Sequence, residues 1–192
     1  MDLKVTYTTG GYRSRTISNV LSANVTIAFA VDFSTSGEKL THTTAVKYNK
    51  PILRLKVPTN INDANRIEYL TDNELVELLN FCKSNIIDDK ISINIAGNAI
   101  QRFVKYKISQ QMLNNWMTSV IKYLKESLPD TVAITIRSGG QTGSDIAGII
   151  AGLRNNIPCT AHFPHGYLTR NEKGIDMTSN YDFIYKYIIR QV

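Results

Sequence analysis

The sequence predicts a doubly wound α/β fold with a mostly parallel sheet of about five strands. Three observations carry this. Apolar runs rich in β-branched residues alternate along the chain with segments of helical apolar spacing. One of those runs, "VTIAFAVDF", is continuously apolar, as a strand buried on both faces is. Another of them stops at a glycine pair and opens through a polar turn into a helix, in "IRSGGQTGSDIAGIIAGL" (136–153). Strands that alternate with helices imply right-handed β-α-β crossovers, and such sheets take ligands outside the carboxyl ends of their strands.

Each element follows in order. "VTIAFAVDF" (25–33) is a continuous apolar run and the first strand. "STSGEKLTHTTAVKYN" (34–49) reads as a polar loop leading into a short helix, and "PILRLKV" (51–57) as a second strand opened by proline. Thr71 and Glu74 make a capping box ahead of the helical spacing in "LVELLNFCKS". "ISINIAG" (91–97) is a third strand ending in glycine. Met112, Trp116, Val120 and Tyr123 place an amphipathic helix over 109–126. "TVAITIRSGG" is the fourth strand, Ile146, Ile149, Ile150 and Leu153 mark the next helix, and "IPCTAHF" is the fifth strand. The tail "YDFIYKYIIRQ" reads as a helix, although its alternation also suits a strand. The loops after the first, third and fourth strands are expected to converge on one crevice.

Length and composition bound the function. A chain of 192 residues, 43% apolar and 20% charged, is expected to form one domain over 1–192. It contains no apolar run of the roughly 20 residues a membrane span needs, and its start lacks the layout of a signal peptide, so a cytoplasmic location with no membrane partner is expected. Cys82 and Cys159 read as small buried hydrophobes and not as a disulfide. The net charge of +6 is concentrated in residues 1–60, where eight Lys/Arg face three Asp/Glu. That field suits an anionic ligand. No basic run interleaves with aromatics, so nucleic acid is not an expected partner.

The glycine turn carries the sharpest chemistry. Gly139, Gly140 and Gly143 allow close approach of a ligand to the main chain, Ser138, Gln141, Thr142 and Ser144 add polar groups, and the helix that follows presents its N-terminal amides. Asp145, in the first helical turn, can stabilise the helix or accept a ligand hydroxyl. The pattern is neither the dinucleotide fingerprint nor a P-loop.

"SGGQTGSDIAG" resembles the glycine-loop signature of the molybdenum carrier family, a Rossmann-like group related to the SLOG superfamily of DprA and LOG proteins. In that family the signature opens the domain, and a Pro-x-Gly loop follows it, which "IPCTAHFPHGYLTRNEKG" resembles through Pro164, Gly166 and Gly174. The family's later features lie upstream here: Tyr12, Arg15–Thr16 and Asn19, then "LTHTTA" (40–45), "NKPILRL" and "INIAGN" with Gly97 and Asn98. The chain thus resembles a circular permutant, residues 129–192 corresponding to the family's N-terminal part and 1–128 to its C-terminal part. His42 and Thr43 replace a glycine pair in the second loop, so Thr41, His42, Thr43 and Thr44 are expected to read a ligand through side chains. The glutamate that LOG enzymes place after this loop is missing, which argues against a hydrolase.

Arg13 and Arg15 suit bidentate phosphate binding. His162 and His165 have no cysteine or acidic cluster beside them, so no metal site, no cofactor and no catalytic residue are assigned. The resemblance implies a nucleotide-derived or ADP-ribose-like phosphorylated ligand, held for sensing or sequestered as a viral counter-defence protein would hold it. A second copy of the chain is the other expected partner. The alternatives are an N-glycosidase-like enzyme using Asp145 or Glu38, an oxyanion carrier, and a single-stranded nucleic-acid binder.

Overall fold

The computed structural model describes residues 2–192, and six strands, not five, form its central sheet. In chain order the elements are β1 (Leu3–Tyr7), α1 (Tyr12–Ser22), β2 (Val25–Ala30), α2 (Ser36–Lys47), β3 (Ile52–Lys56), α3 (Asp72–Lys83), β4 (Lys90–Gly97), a short α4 (Ile100–Phe103), α5 (Gln110–Ser127), β5 (Ala133–Ser138), α6 (Ser144–Arg154), β6 (Cys159–Phe163), a two-stranded hairpin of β7 (Thr169–Arg170) and β8 (Asp176–Met177), and α7 (Tyr181–Ile189). The sheet order is β1-β6-β5-β4-β2-β3, and every neighbouring pair in it is parallel. The fold is Rossmann-like and doubly wound.

The strand missing from the sequence reading is β1, an edge strand of which no residue is fully buried, whereas the other edge strand, β3, buries Leu53 and Leu55. All six residues of β2 are buried and announce themselves as an apolar run, whereas "LKVTY" is half-buried with Lys4 and Tyr7 exposed. The helix that follows, α1, was equally silent: it buries only Asn19 and Val20 and has no side-chain cap. The segment 34–49 corrects a second expectation. Thr35 caps α2 by accepting from the Glu38 N–H, and the helix runs on to Lys47, so Thr41, His42, Thr43 and Thr44 are helical and not part of a loop. Two of the hydroxyls bond within the helix: Thr41 donates to the Gly37 carbonyl and Thr43 to the Lys39 carbonyl.

Two winding directions determine where the helices lie. The connections β1 to β2 and β2 to β3 run toward the β3 edge, and their helices α1 and α2 pack together on one face. From β3 the chain steps back through β4, β5 and β6 toward the β1 edge, and α3, α5 and α6 cover the opposite face, as one crossover hand demands. The apolar layer is deepest under α6, where every residue from Ser144 to Leu153 is buried. Gly148 and Gly152 let that helix approach the sheet, since a Cβ at either would overlap Ile95 or Cys159. Cys82 and Cys159 are both buried thiols. Among the described residues no helix is long and apolar enough to cross a membrane.

Helix α7 packs on α6, on the face that α6 itself covers, and β6 lies beside β1. A link from α7 to β1 would therefore complete a β6-α7-β1 crossover of the same hand as β5-α6-β6. A chain whose present ends are joined by a short linker and which is reopened between Glu126 and Asp130 is expected to fold and to melt cooperatively in calorimetry; loss of the cooperative transition would count against this topology.

Candidate functional site

Adjacent strands β2 and β4 send their helices in opposite directions, and the crevice outside their carboxyl ends is the switch point where open α/β sheets take ligands. A polar cleft of ≈ 420 Å³ opens there. Its floor is the end of β4 with Asn98, and its walls are α1, the first turn of α2, α4, and Gln141 with Asp145. Asn98 holds the crevice together. Its Oδ1 accepts from the Val31 and Asp32 N–H groups at 3.0 and 2.9 Å, and its Nδ2 donates to the Asp32 carbonyl at 2.9 Å, so the loops after β2 and β4 are tied as one unit.

The glycine turn behaves differently from an open phosphate cradle, because its polar groups are engaged within the chain. Ser138 donates to the Ile95 carbonyl and Ser144 to the Phe29 carbonyl, both at 2.6 Å. The Ser144 N–H is taken by the Asn98 carbonyl, and the Gly143 N–H by Gln110 Oε1 at 2.6 Å. Thr142 donates to the Arg170 carbonyl, and Gln141 Oε1 accepts from the Thr142 and Arg170 N–H groups. Gly140, at φ +65°, lies against the Phe163 ring, where any Cβ would overlap. That glycine answers to packing and a left-handed backbone, so a valine there would disrupt the fold itself.

The anion this turn holds is the chain's own. Asp145 Oδ2 accepts from Arg15 Nη1 at 2.6 Å, with both side chains largely buried. Burial pushes the Asp145 carboxyl above its ordinary value, while the Arg15 guanidinium and the Gln141 backbone pull it back toward ionisation. A Cβ on Gly139 would overlap both members of the pair, so the second requirement for glycine here is room for an ion pair.

Glu38 faces the same cleft from the first turn of α2. It is buried, and desolvation, then the Asp145 charge, raise its carboxyl to about 7, with Arg54 acting in the opposite sense. The remaining wall is built on arginines. Arg170 pairs with Asp176 at 2.7 Å and lies 5.3 Å from the Tyr12 ring, whose hydroxyl donates to Asp176. Burial leads the influences that raise the Tyr12 phenol. Arg102 reaches Asp32 only at 4.0 Å, and Arg13 makes no ion pair among the described residues.

Of the residues singled out from sequence, Arg13, Arg15, Asn19, Thr41, Gly97, Asn98, Gln141 and Asp145 border the cleft together. Ser138, Gly139, Gly140, Thr142, Gly143 and Ser144 lie behind it as its support, and His42, Thr43 and Thr44 lie along α2 away from it. Pro164 and Gly166 belong to the turn after β6 and do not border it either. His162 accepts or donates at Thr6 Oγ1 (2.8 Å), and His165 packs edge-on against Tyr7. Sequence reasoning brought the loop after the first strand to the crevice and named Glu38 for the enzyme alternative, but it did not single out Thr35, Ser36 or Gly37, Gln101 and Arg102 on α4, or Arg170. The "NAIQR" segment after the third strand could have suggested α4; Arg170 carried no local signal. A comparison of the chain with family models, with curated proteins and with solved structures finds no match.

Two outcomes follow from the ion pair and the buried carboxyl. Asp145→Ala and Gly139→Ala should each lower stability by about 3 kcal/mol, the usual result of leaving one buried charge without its partner; unchanged urea midpoints would show that the pair contributes nothing. Glu38 binds its proton more tightly when folded, since its carboxyl moves from 4.5 to about 7. Its contribution to stability is therefore complete below 4.5 and is lost as the pH rises toward 7. Glu38→Gln should leave stability near pH 4 unchanged and raise it at pH 8 by on the order of 3 kcal/mol, read from paired denaturation curves.

Proposed function

We propose that the cleft binds an anionic, phosphorylated small molecule of nucleotide-like kind and holds it without turnover. The observation that carries this reading is the convergence of Arg13, Arg15, Arg102 and Arg170 with the opening of α2 around one crevice at the sheet's switch point. Only the Glu38 N–H of that opening is taken, by the Thr35 cap, and Ser36 and Gly37 border the cleft. A helix start of this kind favours a phosphate, and Arg13 and Arg102 are the guanidinium groups least committed to internal carboxylates. The resemblance of "SGGQTGSDIAG" to the glycine loops of the SLOG superfamily belongs to the same proposal, and the β6-α7-β1 arrangement supports reading the chain as a permuted relative.

A second reading, an enzyme that cleaves a glycosidic bond, is favoured by Glu38. A carboxyl raised to about 7 beside the Asp145 carboxylate is placed to give a proton near neutral pH. Turnover separates the two readings. ADP-ribose and nucleoside monophosphates incubated with the protein should be recovered intact by mass spectrometry after heat denaturation. Multiple-turnover release of free base, lost in Glu38→Gln while affinity is kept, would replace binding with catalysis. Arg13→Ala and Arg102→Ala should each weaken nucleotide binding about tenfold in calorimetry, with a smaller dependence on salt than the parent and no change in melting. Affinities that do not move would remove the cleft from ligand binding.

A further inference from the structure

We infer that the cleft recognises the phosphorylated sugar of its ligand and is blind to any base attached to it; this rests on the reading above. The first observation is what the wall lacks. Tyr12 is the one aromatic side chain bordering the cleft among the described residues. Its ring has the Arg170 and Arg15 guanidinium carbons 5.3 and 5.9 Å from its centroid, and its hydroxyl is held by Asp176. Purines and pyrimidines are held by stacking on an open aromatic face or by unengaged apolar surface. The apolar contribution here comes only from Leu40, Ile95, Ala96 and Ala99, so neither an open aromatic face nor an apolar platform is offered, and the arginine planes that could stack on a base are the groups that meet the anion.

The second observation is what the wall leaves unused. Asn19, 2% exposed, has an Nδ2 with no hydrogen-bond partner, and Arg137 Nε donates to its Oδ1 at 2.9 Å, which fixes nitrogen as the unpartnered atom. On the other wall the buried side-chain oxygen of Gln101 also has no partner. One cleft thus presents two unmet donors on α1, Asn19 Nδ2 and Arg15 Nε, and an unpartnered amide end of Gln101 on α4, with the Glu38 and Asp145 carboxyls as acceptors on its walls. Buried polar groups without partners are costly, and a ligand that meets both signs of demand must both donate and accept. A hydroxyl does both. A phosphate ester dianion or a carboxylate supplies acceptors alone and inorganic phosphate has at most a P–OH or two to donate, whereas a polyhydroxylated sugar bearing a phosphate satisfies the amides and carboxyls with its hydroxyls and the arginines with its anion.

Calorimetry on the full chain with ribose 5-phosphate, adenosine 5′-monophosphate, uridine 5′-monophosphate, adenosine and inorganic phosphate tests this. Ribose 5-phosphate and the two nucleotides should bind within about tenfold of one another, and adenosine and inorganic phosphate more weakly than all three. Gln101→Leu and Asn19→Leu should each weaken ribose 5-phosphate about tenfold while leaving inorganic phosphate unaffected. Gln101 is on a short surface helix, so its variant reports even if Asn19→Leu fails to fold. A nucleotide bound more than about tenfold tighter than ribose 5-phosphate, or ribose 5-phosphate bound no better than phosphate, overturns base-blind recognition while the cleft remains a nucleotide site. No binding of any phosphorylated probe overturns both readings together.

Discussion

The rest of the site depends on the ion pair between Arg15 and Asp145. It joins α1, near the chain's start, to the first turn of α6, 130 positions later. A carboxylate at that depth is tolerable only with a cation in direct contact, and the guanidinium is held there at 2.6 Å. The consequences spread outward. Gly139 must lack a Cβ to admit the pair, the amides that open α6 are turned to internal partners, and the nearby charge helps to keep the Glu38 proton on. The α6 N-terminus has its negative charge built into the chain.

With that N-terminus engaged, α2 is the helix whose start faces the cleft. Both helices start at the carboxyl end of a parallel strand, so both carry the partial positive charge of a helix start. They differ in occupancy. The Gly143 and Ser144 amides that open α6 are taken by Gln110 and the Asn98 carbonyl, while α2 opens on the cleft with Thr35 capping only one of its amides. The Asn98 clamp keeps the floor of the crevice in register with the loop after β2, which keeps the α2 opening and the end of β4 in a fixed relation. The cleft combines a tied floor with arginines at its rim and the Glu38 and Asp145 carboxyls on its walls.

The face of the sheet beneath α1 and α2 differs in character from the opposite one. Under α6 the layer is aliphatic and tightly packed, with glycines bringing helix and sheet together. Beneath α1, Arg137 on β5 donates to Asn19, Asn94 donates to Thr26, and His162 meets Thr6. Burial and the Arg137 and Arg15 charges lower the His162 imidazole, so this layer adds no further cation there at neutral pH. Stability is concentrated on the apolar face, and the polar face serves to position side chains at the cleft.

The sequence by itself determined the α/β class, five of the six strands of the sheet, of which β2 is buried along its whole length, and the strand-to-helix glycine turn, because these depend on local periodicity and on short-range backbone requirements. It also brought forward Arg15, Asn19, Gln141 and Asp145, which meet at the cleft. It could not reveal β1, whose half-buried edge position leaves too few apolar residues to make a run, nor α1, which buries only two side chains. Tertiary structure alone decided that Asp145 pairs with Arg15, that Gly140 serves the Phe163 ring, and that Arg170 from the hairpin joins Tyr12 at the rim. Those outcomes rest on contacts between residues far apart in sequence, and no spacing rule encodes them; a glycine that makes room for an ion pair and a glycine that makes room for a phosphate read the same along the chain.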